Sequence, residues 1–109
     1  MKYYASGKQI VYPEDYDTKV MFLRRSQGWI DARKSEGVLE SAYSFTAGGG
    51  FLVFNVPSHE EMVKHLIDFP LYPLCEFKVE PIIEFNRNSD LIIDEFKKLG
   101  VYHDDKRQK

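Results

Sequence analysis

Phe51-Leu52-Val53-Phe54-Asn55-Val56 is the stretch that decides the fold. Successive side chains of a strand point to opposite faces, which puts Phe51 and Val53 on one side and Leu52, Phe54 and Val56 on the other. A strand apolar on both faces needs cover on both. Just before it, Thr46-Ala47-Gly48-Gly49-Gly50 reads as a hairpin turn that brings in the preceding strand, Val38 to Phe45. In that strand Leu39, Ser41, Tyr43 and Phe45 share one face, and Glu40, Ala42 and Ser44 the other. Just after it, Ser58 and Glu61 form a Ser-x-x-Glu capping box. Behind the box, Met62, Val63, Leu66, Ile67 and Phe69 make the apolar stripe of a helix.

Further out, Pro70 and Pro73 end that helix. Cys75, Phe77 and Val79 then alternate with Glu76, Lys78 and Glu80 as a last strand, and Pro81 suits its end or a sheet edge. Towards the N-terminus, Lys2 to Tyr12 is rich in β-favouring residues around Ser6-Gly7 and predicts a strand with a bend or bulge. Pro13 to Asp17 opens a helix in which Val20, Leu23, Gln27 and Ile30 recur at helical spacing beside Phe22, Ser26 and Trp29. Gly37, after basic Arg33 and Lys34, stops it. Trp29 is expected to pack against the sheet. At the other end, Ser89 is expected to cap a short helix through Leu91, Ile92, Phe96 and Leu99, ended by Gly100.

The order βαββαβ with an added C-terminal helix predicts an α+β, ferredoxin-like fold with both crossover helices on one face of a four-stranded antiparallel sheet. The other face is left bare. Burying each large apolar side chain is worth ~1.5–3 kcal/mol, so a second copy of the chain is the expected cover, giving a dimeric α/β barrel. A chain of 109 residues has room for a single core. Residues 1–100 are expected to form that one domain with its C-terminal helix, and 101–109 a flexible tail.

Composition narrows the function. Fifteen basic and 17 acidic residues are scattered along the chain, without the basic footprint that nucleic-acid binding requires. No apolar run approaches the ~20 residues needed to span a bilayer. Cys75 has no second cysteine with which to pair, and the start lacks the apolar core of a secretory signal, so a cytoplasmic location is expected. No His, Cys or carboxylate spacing fits a metal site, and no metal or cofactor is expected. Gly48-Gly49-Gly50 joins two strands with no Lys-Ser or Lys-Thr after it, so it is read as a turn rather than a phosphate loop.

Gly49 to Ile82 resembles the muconolactone delta-isomerase family. The residues that carry the resemblance are Leu66-Ile67-Asp68-Phe69-Pro70-Leu71-Tyr72-Pro73 and Glu76-Phe77-Lys78-Val79-Glu80-Pro81-Ile82. The family pattern of hydrophobic strand, capped helix, Leu-Pro-Leu-Phe-Pro-like turn and alternating last strand is present, whereas the first strand and the residues after Phe85 depart from it. The resemblance implies a dimeric α/β barrel, often built into larger rings. It also implies a cofactor-free isomerase that moves a proton in a small unsaturated lactone or acid. Related barrels include cofactor-independent monooxygenases, and a noncatalytic small-molecule-binding or assembly module is the further alternative.

Such a proton shift needs a base, an acid and donors for an enolate-like oxygen. Glu76, Lys78 and Glu80 share one face of the last strand and would point into the barrel of a face-to-face dimer. Glu76 is the candidate base, and Lys78 and Glu80 are candidate substrate contacts. Tyr43 and Tyr3 are the candidate hydroxyl donors, Tyr43 as a catalytic group and Tyr3 as a substrate contact. The expected site is an enclosed, aromatic-lined pocket of a few hundred Å³ holding a buried carboxylate.

Overall fold

The structure is a computed structural model and describes residues 1–103. Its elements are β1 (Lys2–Gln9), α1 (Tyr16–Ser35), β2 (Leu39–Ser44), β3 (Gly50–Asn55), α2 (His59–Asp68), a 3-10 turn (Tyr72–Leu74), β4 (Cys75–Ile82) and α3 (Phe85–Lys98). The four strands form one antiparallel sheet in the order β2-β3-β1-β4. This is the expected α+β, ferredoxin-like βαββαβ arrangement with an added C-terminal helix. Residues 104–109, most of the expected tail, lie outside the described residues.

Local chemistry accounts for the helix limits. Asp15 caps α1 by accepting from the Thr18 backbone N–H and hydroxyl, each at 2.9 Å, and Gly37 ends it at φ 75°, a conformation costly for any residue with a Cβ. Ser58 caps α2, its hydroxyl accepting from the Glu61 N–H at 3.2 Å. α3 starts earlier than expected, at Phe85 with Glu84 as N-cap. Ser89 is therefore inside the helix, where its hydroxyl donates back to the Phe85 carbonyl at 3.0 Å. The side chain that was to start the helix instead satisfies itself on the preceding turn.

Two strand expectations are corrected as well. β1 runs straight through Ser6-Gly7 with unbroken pairing to both neighbours and ends at Gln9. Beyond it, the N–H groups of Ile10 and Val11 both donate to the Leu74 carbonyl. Gly7 reflects packing rather than a bend: a Cβ there would stand 2.6 Å from the Phe77 ring. In β2 the register shifts between Leu39 and Ser41, so Leu39 turns into the core at 2% exposure while Tyr43 takes the opposite face. The bulge breaks the simple alternation by one residue.

β3 divides as its sequence requires. Leu52 and Phe54 are buried under the helices with Tyr3, Ala5, Trp29, Met62, Leu66 and Phe69. Phe51 and Val53 are half-buried on the other face. Part of their cover comes from the chain itself, since Tyr4, Tyr43 and Phe45 surround the Phe51 ring at centroid distances of 5.2, 5.4 and 5.8 Å. α1 and α2 are joined at their C-terminal ends, where Trp29 Nε1 donates to Asp68 at 3.2 Å and Arg33 lies 3.9 Å from the same carboxylate. α3 buries none of its residues, and the molecule extends to 63 Å in its longest direction.

Candidate functional site

Along the helix-facing side of β1 the side chains shrink from Tyr3 to Ala5 to Gly7. Tyr3, Phe54 and Met62 fill the space under the helices at the large end. At the small end Gly7, Ala42, Ser26 and the Gly48-Gly49-Gly50 turn supply almost no volume, and a cleft of about 460 Å³ opens between α1 and the sheet. That is enough for a small-molecule ligand. Leu23, Ser26, Gln27 and Ile30 of α1 form one wall, and Phe69, Leu71, Cys75 and Phe77 close another.

The glycines are needed where they stand. A Cβ on Gly49 would come 2.4 Å from the Gly7 carbonyl oxygen, and one on Gly50 2.4 Å from that of Tyr43. The turn can thus lie directly on the ends of β1 and β2. Gly48 and Gly49, at φ 112° and 79°, reverse the chain there in a conformation open mainly to glycine.

The polar side chains of the lining are Gln9, Ser26, Gln27, Ser44 and Cys75, Tyr43 being turned to the other face of the sheet; among the described residues the lining includes no Asp, Glu, Lys, Arg or His. Ser26 is 5% exposed and donates to the Phe22 carbonyl at 2.7 Å, keeping its oxygen as an acceptor. Gln9 donates from its amide nitrogen to the Val11 carbonyl at 3.1 Å. Burial pushes the Cys75 thiol above its ordinary value, which keeps it protonated and a poor nucleophile at neutral pH. The cleft can therefore hold an apolar ring and hydrogen-bond its oxygen atoms, but its lining carries no formal charge.

The five candidate site residues do not come together. Tyr43 borders the cleft, but its ring lies on the opposite face of the sheet, exposed and stacked on Phe51 at 5.4 Å. Tyr3 lies on the helix side but in the filled end of the core, 3% exposed, edge-on to His59 at 5.4 Å and with its hydroxyl 3.6 Å from the Met1 sulfur. Glu76, Lys78 and Glu80 are exposed on the face turned away from the helices, in register with Lys8, Ser6 and Tyr4 of β1. Within one chain the plane of the sheet separates Tyr3 and the cleft from the Tyr43 ring and the Glu-Lys-Glu row.

Sequence reasoning missed Gln9, Ser26, Gln27 and Cys75 as cleft residues. The signal that could have found them is the taper Tyr3-Ala5-Gly7 opposite Ser26, a small polar residue on the buried side of α1.

No protein-family model matches the chain, and no curated protein matches it in sequence. Solved structures do match its fold. Muconolactone isomerase superimposes with a TM-score of 0.69 at 17% sequence identity, over 77% of this chain and 90% of the other. The 5-chloro-2-hydroxyhydroquinone dehydrochlorinase of Burkholderia phenoliruptrix AC1100, solved with 2,5-dihydroxybenzoquinone, superimposes with a TM-score of 0.64 at 13% identity, over 80% of this chain and 98% of the other. The chain thus has a muconolactone isomerase-like fold.

Proposed function

We propose that the chain is a muconolactone isomerase-like, cofactor-free isomerase that takes a small unsaturated lactone or acid into the cleft between α1 and the sheet and moves a proton within it. The observation that carries this reading is the cleft itself: apolar walls, a side-chain-free glycine floor and several hydrogen-bonding groups, in a fold shared with an isomerase and a dehydrochlorinase of small rings. Isomerisation and loss of HCl both involve removal of a proton, and neither needs an oxidant or a reductant. Gln27 and Ser44, polar groups on the cleft side of the sheet, are the donors available to the substrate oxygen as charge gathers there. A proton taken from one carbon of the unsaturated system is returned to another as the double bond moves.

A second reading is a binding module without catalysis, and one observation favours it: the described lining offers neither carboxylate nor imidazole to act as the base. Incubation with muconolactone in D2O, followed by proton NMR, separates the two. Deuterium entering the ring with a shift of the double bond supports the isomerase, whereas saturable binding with every ring proton retained supports the module. Ala42→Leu, which fills the cleft from β2, should weaken binding in either case by about tenfold or more; unchanged binding would remove the cleft from both.

The working unit on this proposal is a homodimer or higher homo-oligomer in the cytoplasm. Two sheets would meet through the face bearing Tyr4, Phe51 and Val53, with Glu76, Lys78 and Glu80 at their border. What supports the pairing is the apolar surface left half-buried there.

A further inference from the structure

The charge of the ligand is the property on which the cleft is most specific. Its described lining is made of aromatic and aliphatic side chains, four glycines, two carboxamides, two serine hydroxyls and a protonated thiol. A carboxylate entering such a space would give up its water and meet hydroxyl, amide and backbone dipoles but no cation, which is the costly way to bury a charge. None of the basic residues nearest in sequence is part of that described lining. Arg24 and Arg25 are exposed on α1, Lys8 and Lys78 stand on the far face of the sheet, and Arg33 is engaged with Glu36 and Asp68 at the other end of α1. The hydrogen-bonding groups that remain match carbonyl, ether and hydroxyl oxygens of a neutral ring.

We infer that the cleft selects the uncharged form of its ligand: a neutral oxygenated ring such as a lactone, an ester or a phenol, in preference to the corresponding carboxylate anion. This rests on the proposed binding of small unsaturated rings between α1 and the sheet, and narrows that class. It sets the chain apart from a site built around an anion, where a buried Arg or Lys would be expected.

The test compares two ligands with one ring, muconolactone as its carboxylate and muconolactone methyl ester, by isothermal titration calorimetry of the full-length protein at pH 7.5. The ester should bind at least about tenfold more tightly. The affinity of the acid should rise about tenfold for each unit by which the pH is lowered, while the carboxyl group remains mostly ionised, and that of the ester should not change. Gln27→Arg places a guanidinium on the wall of the cleft from an exposed helical position and should move the preference towards the carboxylate. Equal or tighter binding of the carboxylate by the unaltered protein would overturn the inference and leave the binding proposal standing. Binding of neither ligand up to millimolar concentration would overturn both.

Discussion

Gly7 and Phe77 occupy the same space from adjacent strands, and the fit leaves no room for a methyl group. Gly7→Ala should therefore destabilise the protein by about 1–3 kcal/mol in urea unfolding, the usual cost of overpacking. Gly7→Ala combined with Phe77→Leu should cost less than the sum of the two single changes, because the second makes room for the first. Cys75 belongs to the same neighbourhood. With its thiol held protonated by burial, alkylation by iodoacetamide at pH 7.5 should be slower than that of a free cysteine, and a ligand in the cleft should slow it further; mass spectrometry reads both. Gly7 was legible in the sequence as an anomaly but not as a packing requirement, since the ring that demands it comes from a strand seventy residues away.

At the scale of elements, α1 is held at its two ends by different means. At its N-terminus the Thr18 hydroxyl, and after it the Thr18 backbone N–H, hold the Asp15 carboxyl below its ordinary value. A carboxyl whose folded value is depressed contributes stability that is present above its unfolded value, about 3.9, and is lost as the pH falls through the folded one. The Thr18 amide proton should accordingly shift in NMR spectra below pH 4, and Asp15→Asn should abolish that titration. At the C-terminal end, Asp68 accepts from Trp29 and faces Arg33. Asp68→Ala should cost about 1 kcal/mol in thermal or urea unfolding, since the carboxylate is mostly exposed and water can take over part of its role.

The elements themselves were written in local sequence. The Ser58 cap, the α2 stripe and the alternation of β4 each depend on residues close to one another, and all recur in the structure. What local sequence could not provide is the bulge after Leu39 or the placement of α1, whose apolar residues do not form one clean stripe. Ser26 and Trp29 are turned inwards while Val20 and Leu23 remain exposed. The location of the cleft depends on that placement, which is why the Glu-Lys-Glu row, regular and conspicuous in the sequence, drew attention to the other side of the sheet.

For the molecule as a whole, two apolar surfaces have no cover among the described residues: part of the sheet face around Val53, and the stripe of α3 formed by Phe85, Ile92, Phe96 and Leu99, all at least 44% exposed. A helix of this kind, standing alone, draws most of its stability from packing. If the proposed homo-oligomer forms, sedimentation velocity at micromolar concentration should show a species of at least twice the 12.8 kDa chain mass, and the double change Ile92→Asp and Phe96→Asp should lower both its share and the helical circular dichroism. A monomer that keeps full helicity would remove the oligomer from the proposal.

Trp29 is the only indole in the chain, and it leans against Phe69 at a centroid distance of 4.9 Å, while Phe69 also forms part of the cleft wall. The protein consequently carries a native optical reporter one side chain removed from any guest. Its emission should respond to occupancy without dyes, tags or an assay for turnover, so that compounds can be screened before any reaction has been established.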